Sequence, residues 1–341
     1  MQLTTRKTVN QWTEYTLTND HDMSVSFLDF GGIITKMMVP NREGKLENIV
    51  LSYEDYKQYE DNPNYFGALI GRVAGRIEKA SFELDGKEYL LIPNEGKHHL
   101  HGGTTGFHQV LWETKPFQTE NEIGMKLFHS SPDNDGGYPG NLDVTVKYTL
   151  TNDNEFIIDY EAVSDQKTII SLTNHTYFNL SGNLKDTVEQ HVVMMDCEEV
   201  LELDHELIPT GKLMEVKGTP FDFSQGRTLA EGIQSEHPQN IIAGNGYDHY
   251  FLLNDGTIVV KDESSGRVMK VKTNQPGVVM YTSNTLEEGL QLQGGISKQY
   301  SGVCFETQGS PASLHHTVLP EITLQAGEKY QKQTIFSFQN E

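Results

Sequence analysis

Residues 142–162 read LDVTVKYTLTNDNEFIIDYEA, and their period decides the fold class. Leu142, Val144, Val146, Tyr148 and Leu150 alternate with polar residues, a polar turn follows at Asn152-Asp153-Asn154, and Phe156, Ile158, Tyr160 and Ala162 alternate again. Successive side chains of a strand point to opposite faces, so an apolar residue at every second position marks a strand with one buried face. Two such runs around a short polar turn predict an antiparallel hairpin.

The same signal recurs on either side. Ser81 to Leu84 and Glu88 to Ile92 flank Asp85-Gly86, a strong hairpin turn pair. Thr257 to Lys261 and Arg267 to Val271 flank a turn through Ser264-Ser265-Gly266. Helical stretches are few and short: Tyr53 to Tyr59 could make two turns, and Leu229 to Ser235 is a second candidate. Heptads, internal repeats and low-complexity runs are missing, and no Pro/Gly/Ser-rich linker divides the chain. The prediction is an all-β fold, a large antiparallel β-sandwich with few short helices, built as one domain over residues 1–341. The 31 glycines suit many tight turns.

Composition narrows the function. The chain carries 48 acidic and 26 basic residues, a formal charge of −22, and only six of the basic residues are arginine. Such a surface repels nucleic-acid phosphates and anionic membranes, so neither is expected as a partner. It suits a neutral substrate better than a phosphorylated one, although solubility alone also accounts for acidity. The mean hydropathy is −0.50, and no stretch approaches the roughly 20 apolar residues of a membrane span. The first residues lack the apolar core of a secretory signal. Cys197 and Cys304 are too few for a disulfide framework and read as free thiols. Together these features predict a cytoplasmic protein. Asn174-His175-Thr176 and Asn179-Leu180-Ser181 match the glycosylation sequon, but in segments that read as buried.

Several chemistries are unsupported. Gly71-Arg72-Val73-Ala74-Gly75 has the wrong spacing for a phosphate loop or a dinucleotide fingerprint, and no Gly-x-Ser-x-Gly elbow occurs. His98, His99 and His101 cluster, yet no second Cys/His pair with ligand spacing accompanies them, and His205-Glu206 does not continue into His-Glu-x-x-His. No cofactor and no metal is predicted. His315-His316 reads as a solvated loop.

Five segments set polar or charged groups among aromatics and glycines: Gly71 to Ile77, Asn94 to Gly103, Leu172 to Leu180, Gly246 to Phe251 and Val303 to Gln308. On strand alternation Cys304, Glu306 and Gln308 share one face, and Val303, Phe305 and Thr307 the other. From pattern alone each polar group stays open. Glu306 could be a structural ion-pair partner, His175 a satisfied core histidine, and His101 a turn residue before its glycine pair. Asp248 could cap a turn after Gly246, and Arg76 could pair with Glu78. Tyr177 and Phe66 read as core aromatics rather than sugar platforms.

Leu100-His101-Gly102-Gly103, Asn174-His175-Thr176-Tyr177-Phe178-Asn179-Leu180 and Tyr247-Asp248-His249, with Gly136-Gly137-Tyr138-Pro139-Gly140 and Gln275-Pro276-Gly277, form an ordered set of motifs. In that set the chain resembles the galactose mutarotase (aldose 1-epimerase) family, from about Phe66 to Tyr330 and less distinctly before. The resemblance implies a cofactor-free β-sandwich enzyme that interconverts the α and β anomers of a free hexose such as galactose or glucose. It also implies roles: Glu306 as general base, His175 as general acid, His101 as a second histidine near the ring oxygen, and Arg76 and Asp248 as holders of sugar hydroxyls.

The chemistry suits those residue types. Opening a hemiacetal needs a base at O1 and an acid at the ring oxygen O5, and closure reverses both transfers, so each partner acts in both senses. A carboxylate and an imidazole suffice. The sequence departs from the family pattern at Gly75, where many members carry Asn, at Lys97-His98-His99, and over 309–316 directly after the expected base. Three rivals remain. A hexose-6-phosphate 1-epimerase would need more cations. A non-catalytic sugar-binding protein would not need Glu306. A glycoside hydrolase would use Asp248 and Glu306 as its paired carboxylates.

Overall fold

A computed structural model describes residues 1–341. The alternation at 142–162 becomes two ten-residue strands, Leu142–Thr151 and Glu155–Ser164, paired antiparallel with Leu150 opposite Phe156 and Val144 opposite Ala162. Every apolar residue of the pattern is at most 3 % exposed. Each such side chain contributes about 1.5–3 kcal/mol on burial, enough to hold the register, since a one-residue slip would turn all of them to solvent. The other two expected hairpins form as Ser81–Leu84 with Lys87–Leu90, and Thr257–Asp262 with Arg267–Thr273.

These strands belong to sheets whose strand pairs are all antiparallel, with one isolated parallel bridge between Val73 and Ser171. The largest sheet has nine strands, in the order Glu113–Gln118, Glu122–Ser131, Leu142–Thr151, Glu155–Ser164, Lys329–Asn340, Arg267–Thr273, Thr257–Asp262, Val192–Met195 and Arg227–Thr228. Facing it is a six-stranded sheet, in the order Tyr177–Phe178, Val303–Gln308, Gly277–Tyr281, Asp248–Leu252, Glu199–Leu203 and Pro209–Glu215. The Phe178 and Phe336 rings meet across the gap at 5.1 Å, and Thr307 Oγ1 lies 2.6 Å from Thr334 Oγ1. A five-stranded N-terminal sheet, running in chain order from Gln2–Lys7 to Leu46–Asn48, packs Phe27 edge-on against Tyr148. Aromatic and aliphatic residues of all three sheets share one core.

Helix is sparse. The stretch at Tyr53 to Tyr59 forms only a 3-10 turn, Tyr56–Glu60, because Asp55 accepts the Lys57 N–H and Tyr56 and Tyr59 are drawn into the core. The candidate at 229–235 is one short helix, Leu229–Ile233, and Pro238–Ile242 makes another that the sequence reading missed. No helix is long and apolar enough to cross a membrane. Asn174 and Asn179 are buried, as are both free cysteines.

One buried charge cluster ties the sheets together. Glu47 and Arg267 are fully buried with Glu47 Oε2 3.0 Å from Arg267 Nη2, and the ammonium groups of Lys45 and Lys185 reach Glu47 Oε1 at 2.8 and 2.6 Å. Three cations around one carboxylate hold its pKa down at about 2 against the burial that works the other way.

Candidate active site

The cleft lies on the outer face of the six-stranded sheet, and strand alternation builds it. Within Val303–Gln308, Val303 and Phe305 enter the core and Thr307 bonds to the facing sheet, so Cys304, Glu306 and Gln308 must point the other way. The register carries that face across the neighbouring strands. Tyr177, Cys304, Tyr281 and Asp248 stand in one row, and Glu306, Val279 and Tyr250 in the next. All of these except Cys304 line the cleft.

Loops from the first half of the chain supply the opposite wall. Thr173–Asn174 pairs with Leu69–Ile70, and the His175 N–H and C=O bond to Ala68 and Gly67, which fixes His175 over Glu306. Arg76–Ile77 pairs with His99–Leu100 and delivers Arg76 and His101 to the rim. His101 has a left-handed φ of 53° and is clasped at both ends: its N–H donates to Gly75 C=O, and Gly75 N–H donates to its Nδ1, each at 3.2 Å. The five residues singled out in the sequence, Arg76, His101, His175, Asp248 and Glu306, therefore converge on one cleft.

His175 Nε2 is 3.5 Å from Glu306 Oε1, and its Nδ1 is 3.5 Å from Cys304 Sγ. Tyr65 and Tyr177 each stack against the imidazole, with centroids at 5.8 and 5.1 Å, and His101 meets it edge-on at 5.2 Å. Glu306 Oε2 is buried with no protein partner. Arg76 does not pair with Glu78, which binds Lys79 instead. Its guanidinium forks onto Glu95, Nε to Oε2 at 2.7 Å and Nη2 to Oε1 at 2.9 Å, and presents Nη1 to Asp248 Oδ2 at 3.6 Å. Asp248 opens a strand rather than capping a turn. Phe66 is fully buried core, whereas Tyr177 has one face on the cleft.

Electrostatics divide the groups. Burial raises the Glu306 carboxyl well above the ordinary carboxylate range; Asp248 adds to the shift and Arg76 opposes it. Burial lowers His175 to about 3 and takes His101 well below the usual imidazole range, helped by His175 beside it. Asp248 is raised by burial, with Arg76 working against the rise.

The histidine cluster of the sequence does not converge. His99 is locked between Ile92 C=O and Tyr138 Oη, both at 2.7 Å, and His98 Nδ1 accepts the Lys79 N–H. A different trio, His101, His175 and Glu306, brings its donor atoms within 4.8 Å of one another. The trio fits a metal ion poorly. An N–H at its Nδ1 leaves neutral His101 with its proton on Nε2, so it offers the cleft a donor instead of a lone pair, and the Arg76 cation shares the site.

Sequence reasoning did not single out Glu95, Tyr65, Cys304 or Gln308 as site residues. The strand-face mates of Glu306 carried a usable signal in their spacing, whereas Glu95 carried none, because the strand pair with His99–Leu100 turns Arg76 toward it. Tyr65 carried none, because its place depends on a left-handed φ of 54° in a loop.

Several known proteins are similar to this chain in sequence and in fold. The profile of the aldose 1-epimerase family matches residues 13–337. Galactose mutarotase of Sus scrofa is 38 % identical over 322 residues, 93 % of this chain and 91 % of that protein. Maltose epimerase of Levilactobacillus brevis is 33 % identical over 327 residues, 94 % of each. The crystal structure of galactose 1-epimerase from Lactobacillus acidophilus superposes with a TM-score of 0.88 at 30 % identity, covering 99 % of this chain and 98 % of that one. The match runs through the sheet that carries Glu306 and the loops that carry His175 and Arg76, and on it the chain belongs to the aldose 1-epimerase family.

Proposed function

We propose that this cleft interconverts the α and β anomers of a free aldohexose, such as galactose or glucose, by exchanging protons between the sugar and the Glu306–His175 pair. The observation that carries the reading is the buried carboxylate with one unpartnered oxygen, 3.5 Å from an imidazole whose other nitrogen is held by Cys304. In ring opening Glu306 takes the O1 proton while His175 Nε2 gives a proton to O5. The C1–O5 bond breaks and C1 becomes the aldehyde carbon. Rotation about C1–C2 offers the other carbonyl face, and closure returns both protons. His101, carrying its proton on Nε2, donates a hydrogen bond toward O5 as charge builds there. Arg76 and Asp248 hold hydroxyls, with Glu95 fixing the guanidinium.

The pKa directions suit a reversible exchange. The pair is active with one proton between its two members, and burial raises the proton affinity of the carboxyl and lowers that of the imidazole. Arg76 favours the carboxylate, the arrangement that opening uses.

A phosphorylated sugar is disfavoured, because Arg76 is the only lysine or arginine lining the cleft and its guanidinium is engaged by two carboxylates. The charge of −22 disfavours nucleic acid and anionic membranes as partners. Two buried thiols suit a reducing, cytoplasmic location, and a core shared by all three sheets supports a single-domain organisation. Polarimetry on freshly dissolved α-galactose, α-glucose and a panel of other aldoses tests the function. Equilibrium rotation should be reached faster than in buffer alone for at least one of them; no acceleration with any would refute it.

A further inference from the structure

Strand Val303–Gln308 carries a second unpartnered acceptor on a residue that lines the cleft. Gln308 is 1 % exposed, shares its face with Glu306 two residues earlier, and lines the same cleft. Its Nε2 donates to the Ala74 carbonyl at 3.3 Å. A carbonyl can only accept, so this bond fixes which end of the amide is which and leaves Oε1 as the free end. Oε1 is buried and has no protein partner. A buried acceptor left unmatched is costly, so such an atom at a ligand cleft marks a place where the ligand brings the missing donor.

Gly75 keeps the approach clear. Its φ is +83°, and a Cβ built there would sit 3.2 Å from Gln308 Nε2 and 3.1 Å from Pro311 Cγ. Any side chain at 75 would press on the amide and on the 3-10 turn Pro311–Leu314 behind it. Gln308 itself is well braced: its backbone N–H and C=O belong to the strand end, where Tyr250 Oη donates to its C=O at 3.2 Å and Gly277 stands opposite.

We infer that Gln308 is a substrate-binding residue, its Oε1 accepting a hydrogen bond from one ring hydroxyl of the sugar whose O1 proton Glu306 takes. Such a contact selects for an aldose that carries that hydroxyl. The inference rests on the reading of the cleft as the sugar site.

The test compares wild type with Gln308→Met, which keeps the length of the side chain and removes the acceptor, on galactose and its 2-, 3-, 4- and 6-deoxy analogues. Loss of one neutral hydrogen bond should raise KM for galactose roughly threefold to tenfold, with a smaller change in kcat. One deoxy sugar, the one lacking the contacted hydroxyl, should show no further rise in the variant. Gln308→Asn, which draws the oxygen back by one carbon, should give the same selective pattern and serves if the Met variant does not fold. An unchanged KM for galactose, or an equal penalty on every deoxy sugar, overturns the inference. Glu306→Gln is run alongside: if it remains fully active, the reading of the cleft fails first, whereas an inactive Glu306→Gln with an unaffected Gln308→Met rejects Gln308 alone.

Discussion

Two glutamates of this chain are almost closed to solvent and behave oppositely. Glu47 is fully buried among Arg267, Lys45 and Lys185, and its pKa falls to about 2. Glu306 is 3 % exposed beside one neutral imidazole and near a second carboxylate, keeps one oxygen unpartnered, and its pKa rises well above the usual range. Glu306 lies deeper in the molecule, so burial weighs more on its charge, whereas the cations around Glu47 outweigh burial there. Three cations make a carboxylate a permanent anion that ties sheets together. Too few cations leave a carboxyl that holds its proton more tightly than an ordinary one, at a cost in stability.

The largest effect expected from breaking this contrast is on the catalytic side. His175→Asn removes the partner that exchanges the O5 proton, and kcat should fall by about 10²–10⁴-fold while the circular dichroism spectrum stays unchanged. A folded variant within a few-fold of wild type in polarimetry would contradict the role.

Glu47→Gln should do the reverse. Removing one partner of a buried ion cluster costs about 3–5 kcal/mol, read as a lower urea midpoint, while kcat/KM of the folded protein stays the same. The pH dependence follows in sign. A depressed folded pKa stabilises above the ordinary carboxylate range, and that contribution is lost as pH falls toward about 2. Wild type should therefore lose its advantage over Glu47→Gln in acid; a constant gap down to pH 2 would mean the cluster is not the source.

Asp248→Asn and Arg76→Ala sharpen the catalytic half by separating binding from proton transfer. Each should lower kcat/KM by roughly tenfold to a hundredfold through KM and misplacement of the sugar. Undiminished values in both would make Arg76, Glu95 and Asp248 a structural cluster like that of Glu47. The smallest effect is expected from chelation. Exhaustive EDTA treatment should leave the rate unchanged, and a loss restored by Zn²⁺ would turn His101, His175 and Glu306 into a metal site.

Much of this was legible in the sequence because both sheets have period two. The pattern at 142–162 predicted the hairpin, and alternation along 303–308 put Glu306 on one face with Cys304 and Gln308, the face that turns out to lie away from the shared core. What stayed illegible depends on non-local geometry. Arg76 lies two residues from Glu78, but a strand pair with His99–Leu100 turns it toward Glu95 and Asp248. The histidines at 98, 99 and 101 look like a ligand cluster in line, yet a bend at His101, with φ of 53°, sends only the last into the cleft. The clamp on His175 joins Tyr65 and Tyr177 across more than a hundred residues of chain, which no local pattern encodes.

The most direct measurement is Glu306→Gln followed by activity and stability on the same sample. The substitution keeps shape and removes the ionisable acceptor. A raised folded pKa means that the carboxyl stabilises the fold when protonated, and that this contribution is lost as pH rises through the folded pKa. At pH 8 the variant should therefore be no less stable than wild type in urea, while polarimetry on the best aldose shows a loss of at least about 10²-fold. A folded Glu306→Gln that keeps near wild-type mutarotation would contradict the account and make Asp248 the next residue to test as base.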